Sequence, residues 1–332
     1  MTAQEVDAVF NTSPFSPFVW GSKVPDRRAA RAVAVHTGLL PFFPAQAPAC
    51  TACGNRMSRV RRSDRSTGFM WYCPRPCRRR VGFRINTWFA GSRLSMRRIW
   101  QLVVCWFFQT PVTKAAWQVG VTQATAVDWY SFCREVCAVI MHNENYAVGG
   151  VGLHVEVDET HLFRRRYNVG RILAHQDVWV FGGICRETKE AFCQLIDGHP
   201  AIHNIDPVIA ERIVPGSIIC HDNARVYDNL HQGARGGWQH LTVNHSRNFV
   251  DPNNPNAHTN TVERMWREVK RNIRGFGDDD HLGLYLCEYM YRRRYCNPNT
   301  VREGRQSGRY LRIFLDHVRQ VYPGPEKIGL AM

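Results

Sequence analysis

The sequence predicts an α/β fold, a mixed sheet with flanking helices, with a small cysteine-bearing ribbon and a helical module ahead of it. Three observations predict it. The stretch His154–Thr160 alternates apolar and polar residues, as a half-buried strand does. Two further apolar runs, Val178–Cys185 and Ala191–Ile196, are joined by the polar turn Arg186–Glu190. A helical stretch, Pro207–Ile213, then leads to a short buried-type strand, Ser217–Asp222. A meander followed by a helix and another strand is an α/β order.

At 332 residues the chain has room for two or three domains of ordinary size, and 44% hydrophobic residues allow a real core. The net charge of +15 is unevenly placed. Residues 1–150 carry 19 Lys/Arg against 7 Asp/Glu, whereas residues 151–332 carry 24 against 21. The first half therefore reads as a polyanion-binding surface, with nucleic acid the expected partner. Twelve cysteines do not form a secreted framework, because no signal peptide opens the chain. The most apolar run, Ile99–Phe108, is too short to span a bilayer, so no membrane partner is expected. A reducing interior is the expected compartment: the nucleus for a eukaryotic source, otherwise the cytoplasm.

Residues 1–45 read as an irregular arm with one short helix, Arg27–Leu40, and no chemistry. In residues 46–90, Cys50 and Cys53 form one close pair and Cys73 and Cys77 another. Two such pairs on tight turns present four thiolates to a structural Zn²⁺, which predicts a zinc ribbon. Arg59–Arg62 and Phe69–Tyr72 supply its hairpin strands. Residues 50–98 hold thirteen Arg and one Asp. Arg61, Arg62, Arg78, Arg79 and Arg80 are the expected phosphate contacts, with Trp71, Tyr72 and Phe83 interleaved. Residues 91–145 read as a helix-turn-helix module: helix Leu94–Phe108, helix Pro111–Val119, a turn at Gly120, and a helix capped by Thr122. Thr122, Gln123 and Thr125 would then face a DNA groove. A plain helical bundle has the same pattern. Asn143–Gly152 is a linker.

Asp158 and Asp222 each close a predicted strand. If those strands are parallel neighbours, both carboxylates emerge at one edge. Val262, Trp266, Val269 and Ile273 make the buried stripe of a helix, and Glu263 lies beside it in the first turn. Three hard oxygen donors suit two divalent ions, Mg²⁺ or Mn²⁺, of the kind that promote phosphoryl transfer. Each residue also has a plainer role. Asp222 can close a turn, and Glu263 can form a capping box with Asn260. Glu156 shares the face of Asp158 but lies deeper, and Glu159 points to the opposite face unless the strand has ended. His221, His245 and His258 are weaker candidates. Arg164, Arg165 and Arg166 form a basic loop near the acids, and the run Arg292–Arg294 closes a helix that could also touch DNA.

Val155–Thr160, Ile219–Asn223 and the segment His258–Arg271 resemble the transposases of the Merlin superfamily and their bacterial insertion-sequence relatives with an ISXO2-like DDE domain. The resemblance covers roughly residues 50–296. It implies an RNase H-like DDE domain at 150–298, followed by a C-terminal helix and tail at 299–332. It carries the family's metal-binding acids onto Asp158, Asp222 and Glu263. The implied activity is hydrolysis and strand transfer at transposon ends, by cut and paste. The implied partners are terminal inverted repeats and target DNA, with at least a homodimer joining two ends. A transposase-derived DNA-binding protein without catalysis, and an RNase H-type nuclease, are the alternatives.

Overall fold

The computed structural model describes residues 1–42, 45–65, 67–74, 76–164, 177–222, 224–227, 238–243, 254, 256–273, 279–296 and 307–323. Arg165 and Arg166 of the basic loop, Asn223, His245 and the tail after 323 lie outside them. Two compact units divide the chain: Met1–Val136 with Pro298–Met332, and Cys137–Asn297.

The expected short helix is α3 (Arg27–His36), and the rest of the arm, expected to be irregular, is helical too, with α1 (Ala3–Phe10) and α2 (Pro17–Lys23). Capping chemistry explains the correction. Thr2 and Glu5 cap α1 reciprocally, Ser16 accepts from the N–H of Val19, and Asp26 accepts from that of Ala29. Helices α1 and α2 are too short to show their periodicity clearly, yet Val6, Phe10 and Trp20 are buried, as is Val33 of α3. Next come three antiparallel strands, β1 (Ser58–Arg61), β2 (Phe69–Tyr72) and β3 (Arg80–Gly82), one more than the sequence suggested. Trp71 and Phe83 are buried and stack at 5.1 Å. They form the core of the ribbon and are not a stacking surface for bases. Arg84 is also buried, donating to the carbonyls of Ser92 and Leu94.

Helices α4 (Met96–Phe107), α5 (Val112–Val119) and α6 (Gln123–Asn143) follow as the sequence reading placed them. Gly120 is left-handed at φ 70°, ending α5, and the Thr122 hydroxyl accepts from the N–H of Thr125 to start α6.

The second unit holds a five-stranded mixed sheet. Its members are β4 (His154–Arg164), β5 (Asp177–Cys185), β6 (Ala191–Ile196), β7 (Ile218–Asp222) and β8 (Gln239–Val243), in the order β6-β5-β4-β7-β8. The first three pair antiparallel, whereas β4, β7 and β8 run parallel. Helix α7 (Ile202–Arg212) makes the crossover from β6 to β7. Helices α8 (Asn260–Ile273) and α9 (Asp279–Tyr295) come after the sheet. Val178, Val180 and Ile184 of β5 pack with Val262, Met265, Trp266 and Val269 of α8 in one buried cluster that includes Leu282 and Leu286 of α9. The arginines that close α9 are occupied within this unit. Arg292 pairs with Glu288, Arg293 with Glu268, and Arg294 with Glu144 and Glu190.

The last helix, α10 (Ser307–Val321), belongs to the first unit, where Phe314 packs on Trp106 and Trp88. No helix among the described residues is long and apolar enough to cross a membrane.

Candidate functional site

The alternation in β4 places Val155 and Val157 on one face of the sheet and Glu156 and Asp158 on the other. Glu156 pairs across to Cys220 of β7 in parallel register. Carried on by two residues, that register sets Asp222 level with Asp158 on the same face. The condition set by the sequence, that the two strands be parallel neighbours, is met. One expectation needs correction: β4 does not end at Asp158 but continues to Arg164 against β5. What ends near Asp158 is the pairing of β4 with β7, whose last partners are Glu156 and Cys220. The sheet opens there, and the carboxylates lie at the opening.

Asp158 is half-buried, and its Oδ2 accepts a hydrogen bond from the Trp266 indole at 3.1 Å. Burial pushes its pKa up to about 7, with the carboxylates of Glu159 and Asp222 adding to the rise. Glu159 is also raised, first by burial and then by Asp222. The phenol of Tyr227, just beyond β7, opposes that rise, although among the described residues it stops short of ordinary hydrogen-bond geometry with any partner. Asp222 uses Oδ1 to accept the N–H of Ala224 at 3.1 Å, the turn-closing role its sequence also allowed. Asp158, Glu159 and Asp222 therefore form one electrostatic group. Glu263 stands half-buried in the first turn of α8, one turn before Trp266.

Glu156, a supporting residue in the sequence reading, organises this face. The Glu156 side chain is fully buried, and its Oε2 accepts the N–H groups of Thr261 and Val262 at 2.7 and 2.9 Å. Its Oε1 takes Arg186 Nε at 2.6 Å, and Arg186 also donates to the carbonyls of Asn256 and His258. Thus a strand carboxylate caps α8. The expected capping box on Asn260 is not what starts the helix, because Asn260 is itself its first residue. His258 Nδ1 lies 3.2 Å from Glu156 Oε1 but off the hydrogen-bond line. Burial and then Arg186 lower its pKa, so the contact is not an ion pair at neutral pH. The only early signal for Glu156 was its shared face with Asp158.

Glycine completes the packing. Gly182 pairs with Asp158 on β5, and a Cβ there would meet the Trp266 ring at 2.6 Å and the Phe192 carbonyl oxygen at 2.8 Å. Only a hydrogen lets the indole lie flat enough to reach Asp158.

The four cysteines Cys50, Cys53, Cys73 and Cys77 converge, with all sulfurs within 4.8 Å of one another. Cys50 and Cys77 are 3.7 Å apart, and Cys53 and Cys73 3.4 Å. Thiolates arranged tetrahedrally on Zn²⁺ stand about 3.8 Å apart, so the donor set and spacing fit zinc. Backbone N–H groups of Ala52 and Cys53 pull the Cys50 thiol down to about 6, whereas burial and the neighbouring sulfurs push Cys73 up to about 12. Among the described residues, no three of the acids Asp158, Glu159, Asp222 and Glu263 approach one another that closely. Carboxylates shared by two ions about 3.5–4 Å apart need not do so, since outer ligands then stand as far as roughly 8 Å from one another.

Of the expected phosphate contacts, Arg61, Arg78, Arg79 and Arg80 are exposed, while Arg62 is held by Asp64 at 2.8 Å. Thr122 and Gln123 are exposed and Thr125 is half-buried at the start of α6. Arg164 ends β4 opposite Asp177.

Residues 149–294, which span the whole mixed sheet and α8, match the protein family described as the ISXO2-like transposase domain. Over 89 residues the chain is 32% identical to an uncharacterized transposase-like protein of Haemophilus influenzae, a stretch covering 26% of this chain and 68% of that protein. With the paired strand acids inside the matched span, these likenesses lead to one conclusion: the chain belongs to the ISXO2-like transposase-domain family.

Proposed function

We propose that the protein is a DDE-type DNA transposase of the Merlin kind, with an RNase H-like catalytic domain at residues 150–298. The observation that carries this reading is that Asp158 and Asp222 lie on adjacent parallel strands, each two residues past the last pair Glu156–Cys220, inside the span matched to the transposase family. Asp158, Asp222 and Glu263 would hold Mg²⁺ or Mn²⁺. Such ions, when bound, supply positive charge that lowers the pKa of an attacking hydroxyl and stabilises the leaving oxygen. Water attacks a phosphodiester at the element's end, and the freed 3′-hydroxyl then attacks target DNA. Trp266 orients Asp158 by holding Oδ2, leaving Oδ1 available. Glu156 and Arg186 fix the start of α8 and with it Glu263. The zinc ribbon at 46–90 and the helix-turn-helix at 91–145 recognise terminal inverted repeats, and a dimer or larger assembly joins two ends.

The test uses duplexes ending in the element's own terminal repeats, read from inverted repeats in the genomic flanks. Purified protein with Mg²⁺ is expected to cut them and join the 3′ end to a target plasmid. Asp158→Ala, Asp222→Ala and Glu263→Ala should each lower that activity at least ~100-fold. Full activity in the two aspartate variants would overturn the site. A second reading, a transposase-derived DNA-binding protein without catalysis, draws on the spread of the acids beyond 4.8 Å. It predicts repeat binding with no cut product from the native chain.

A further inference from the structure

The arginines that leave the ribbon, Arg93, Arg97 and Arg98, belong to the basic excess of residues 50–98, and the fold gathers them with Arg27 at one place. An open cleft of about 730 Å³ lies between the starts of α3 and α4 and the end of α5. Arg27 comes from α3, Arg93 from the segment before α4, and Arg97 and Arg98 from the first turn of α4. All four are exposed, and none has an ion-pair or hydrogen-bond partner for its guanidinium among the described residues. The one acid on the wall, Asp26, caps α3 through its Oδ1, which accepts the N–H of Ala29 at 2.7 Å, so the lining carries four positive charges against one negative.

We propose that this cleft binds the sugar-phosphate backbone of duplex DNA, with Arg27, Arg93, Arg97 and Arg98 as its phosphate contacts. The proposal rests on the reading of the protein as one that acts on DNA, and it deepens that reading by naming a phosphate-binding cleft that joins Arg27 to the arginines at the start of the helical module. Four like charges brought together without partners repel one another, and a fold gains nothing from that arrangement unless a polyanion neutralises it. A cleft for a small organic ligand would be largely apolar with a few polar groups. This one is lined mostly by Arg, Gln, Ser and Asp side chains, with Leu94, Val119 and Pro25 as its apolar parts.

Its position fits the same ligand. The Arg98 guanidinium reaches to 3.8 Å from where a Cβ on Gly120 would stand, so the cleft adjoins the turn between α5 and α6. Thr122 and Gln123, exposed at the start of α6, lie just beyond that turn. A strand held in the cleft would therefore run beside the helix proposed to enter the groove, as positioning contacts to phosphate do. Arg27 comes from the N-terminal segment, in which the sequence alone shows no chemistry.

The experiment measures binding of a fluorescein-labelled 30-base-pair duplex of arbitrary sequence by anisotropy, across a series of salt concentrations, with the full-length zinc-loaded protein. Each lost phosphate contact flattens the slope of log affinity against log salt by about 0.9. Arg97→Gln combined with Arg98→Gln should flatten it by roughly 2, and Arg27→Gln, on a different helix, by roughly 1. The double variant should also bind at least ~10-fold more weakly near 0.1 M salt. Lys189→Gln, an exposed cation of the other unit, should leave the slope where it was. Melting curves confirm that each variant is folded. Native binding with unchanged slopes in both cleft variants overturns the cleft and leaves the transposase reading standing. A native protein that binds no duplex overturns both.

Discussion

Asp158 carries a proton that the unfolded chain would already have lost. Its ordinary value is 3.8, and the fold lifts it to about 7. Between those values the folded state binds more protons than the unfolded one, so this residue makes stability fall as pH rises through the window from about 4 to 7. Three pH units correspond to roughly 4 kcal/mol at most. Asp158→Asn should therefore stabilise the divalent-free protein at pH 8 by about 2–4 kcal/mol and change little at pH 4, where the native side chain is already neutral. Urea unfolding at the two pH values checks this, and equal effects at both would refute it. A cation needs the carboxylate, so added Mg²⁺ should raise the melting temperature more at pH 8 than at pH 6. Gly182 sets the other residue-scale expectation. Gly182→Ala puts a methyl group 2.6 Å from the Trp266 ring, an overpacking that should cost about 1–3 kcal/mol and weaken the indole contact to Asp158.

Helix α8 owes its placement to a partner about a hundred residues earlier in the chain. Glu156 satisfies the N–H groups of Thr261 and Val262 in the helix's first turn, and Arg186 neutralises it in a buried setting. Removing one member leaves the other charge buried and the helix start exposed. Glu156→Ala and Arg186→Ala should each cost about 3–5 kcal/mol, and the double variant less than their sum. Strictly additive losses in a denaturant series would show that the two act separately. This element also marks where the sequence could be read and where it could not. Alternation in Val155–Asp158 and the apolar stripe from Val262 to Ile273 are local patterns, so β4, β7 and α8 were legible, as were the acids Asp158 and Asp222 as a facing pair. The cap by Glu156 was not, because a local capping box on Asn260 explains the same letters. Nor was the extent of β4: past Asp158 its partner is β5, and the residues that follow, Glu159-Thr160-His161, do not advertise a buried face. Weak alternation in Gln239–Val243 likewise hid β8, whose place depends on pairing with β7.

Each of the two compact units has its own means of holding together, and this gives the molecule as a whole a testable signature. The boundary between them, Val136/Cys137, falls inside the long helix α6. In the first unit, aromatic packing around Trp100, Trp106 and Phe314 shares the work with the four-cysteine cluster that ties together the turns of the ribbon. The helices α1 and α2 belong to this unit too; they escaped sequence reading because seven or eight residues show too little periodicity, and only their caps betray them. In the second unit, a sheet covered by α8 and α9 holds Asp158 where ionisation carries a cost that a bound cation would relieve. Zinc bound to four thiolates contributes directly to folding free energy. Stripping it with a zinc-selective chelator should therefore lower the melting of the first unit by several degrees and leave the second in place. Asp158→Asn in divalent-free buffer at pH 8 should raise the melting of the second and leave the first. Scanning calorimetry resolves the two transitions when they behave separately. A single transition that moves as one under both treatments would mean that the continuous α6 couples the units into one cooperative fold.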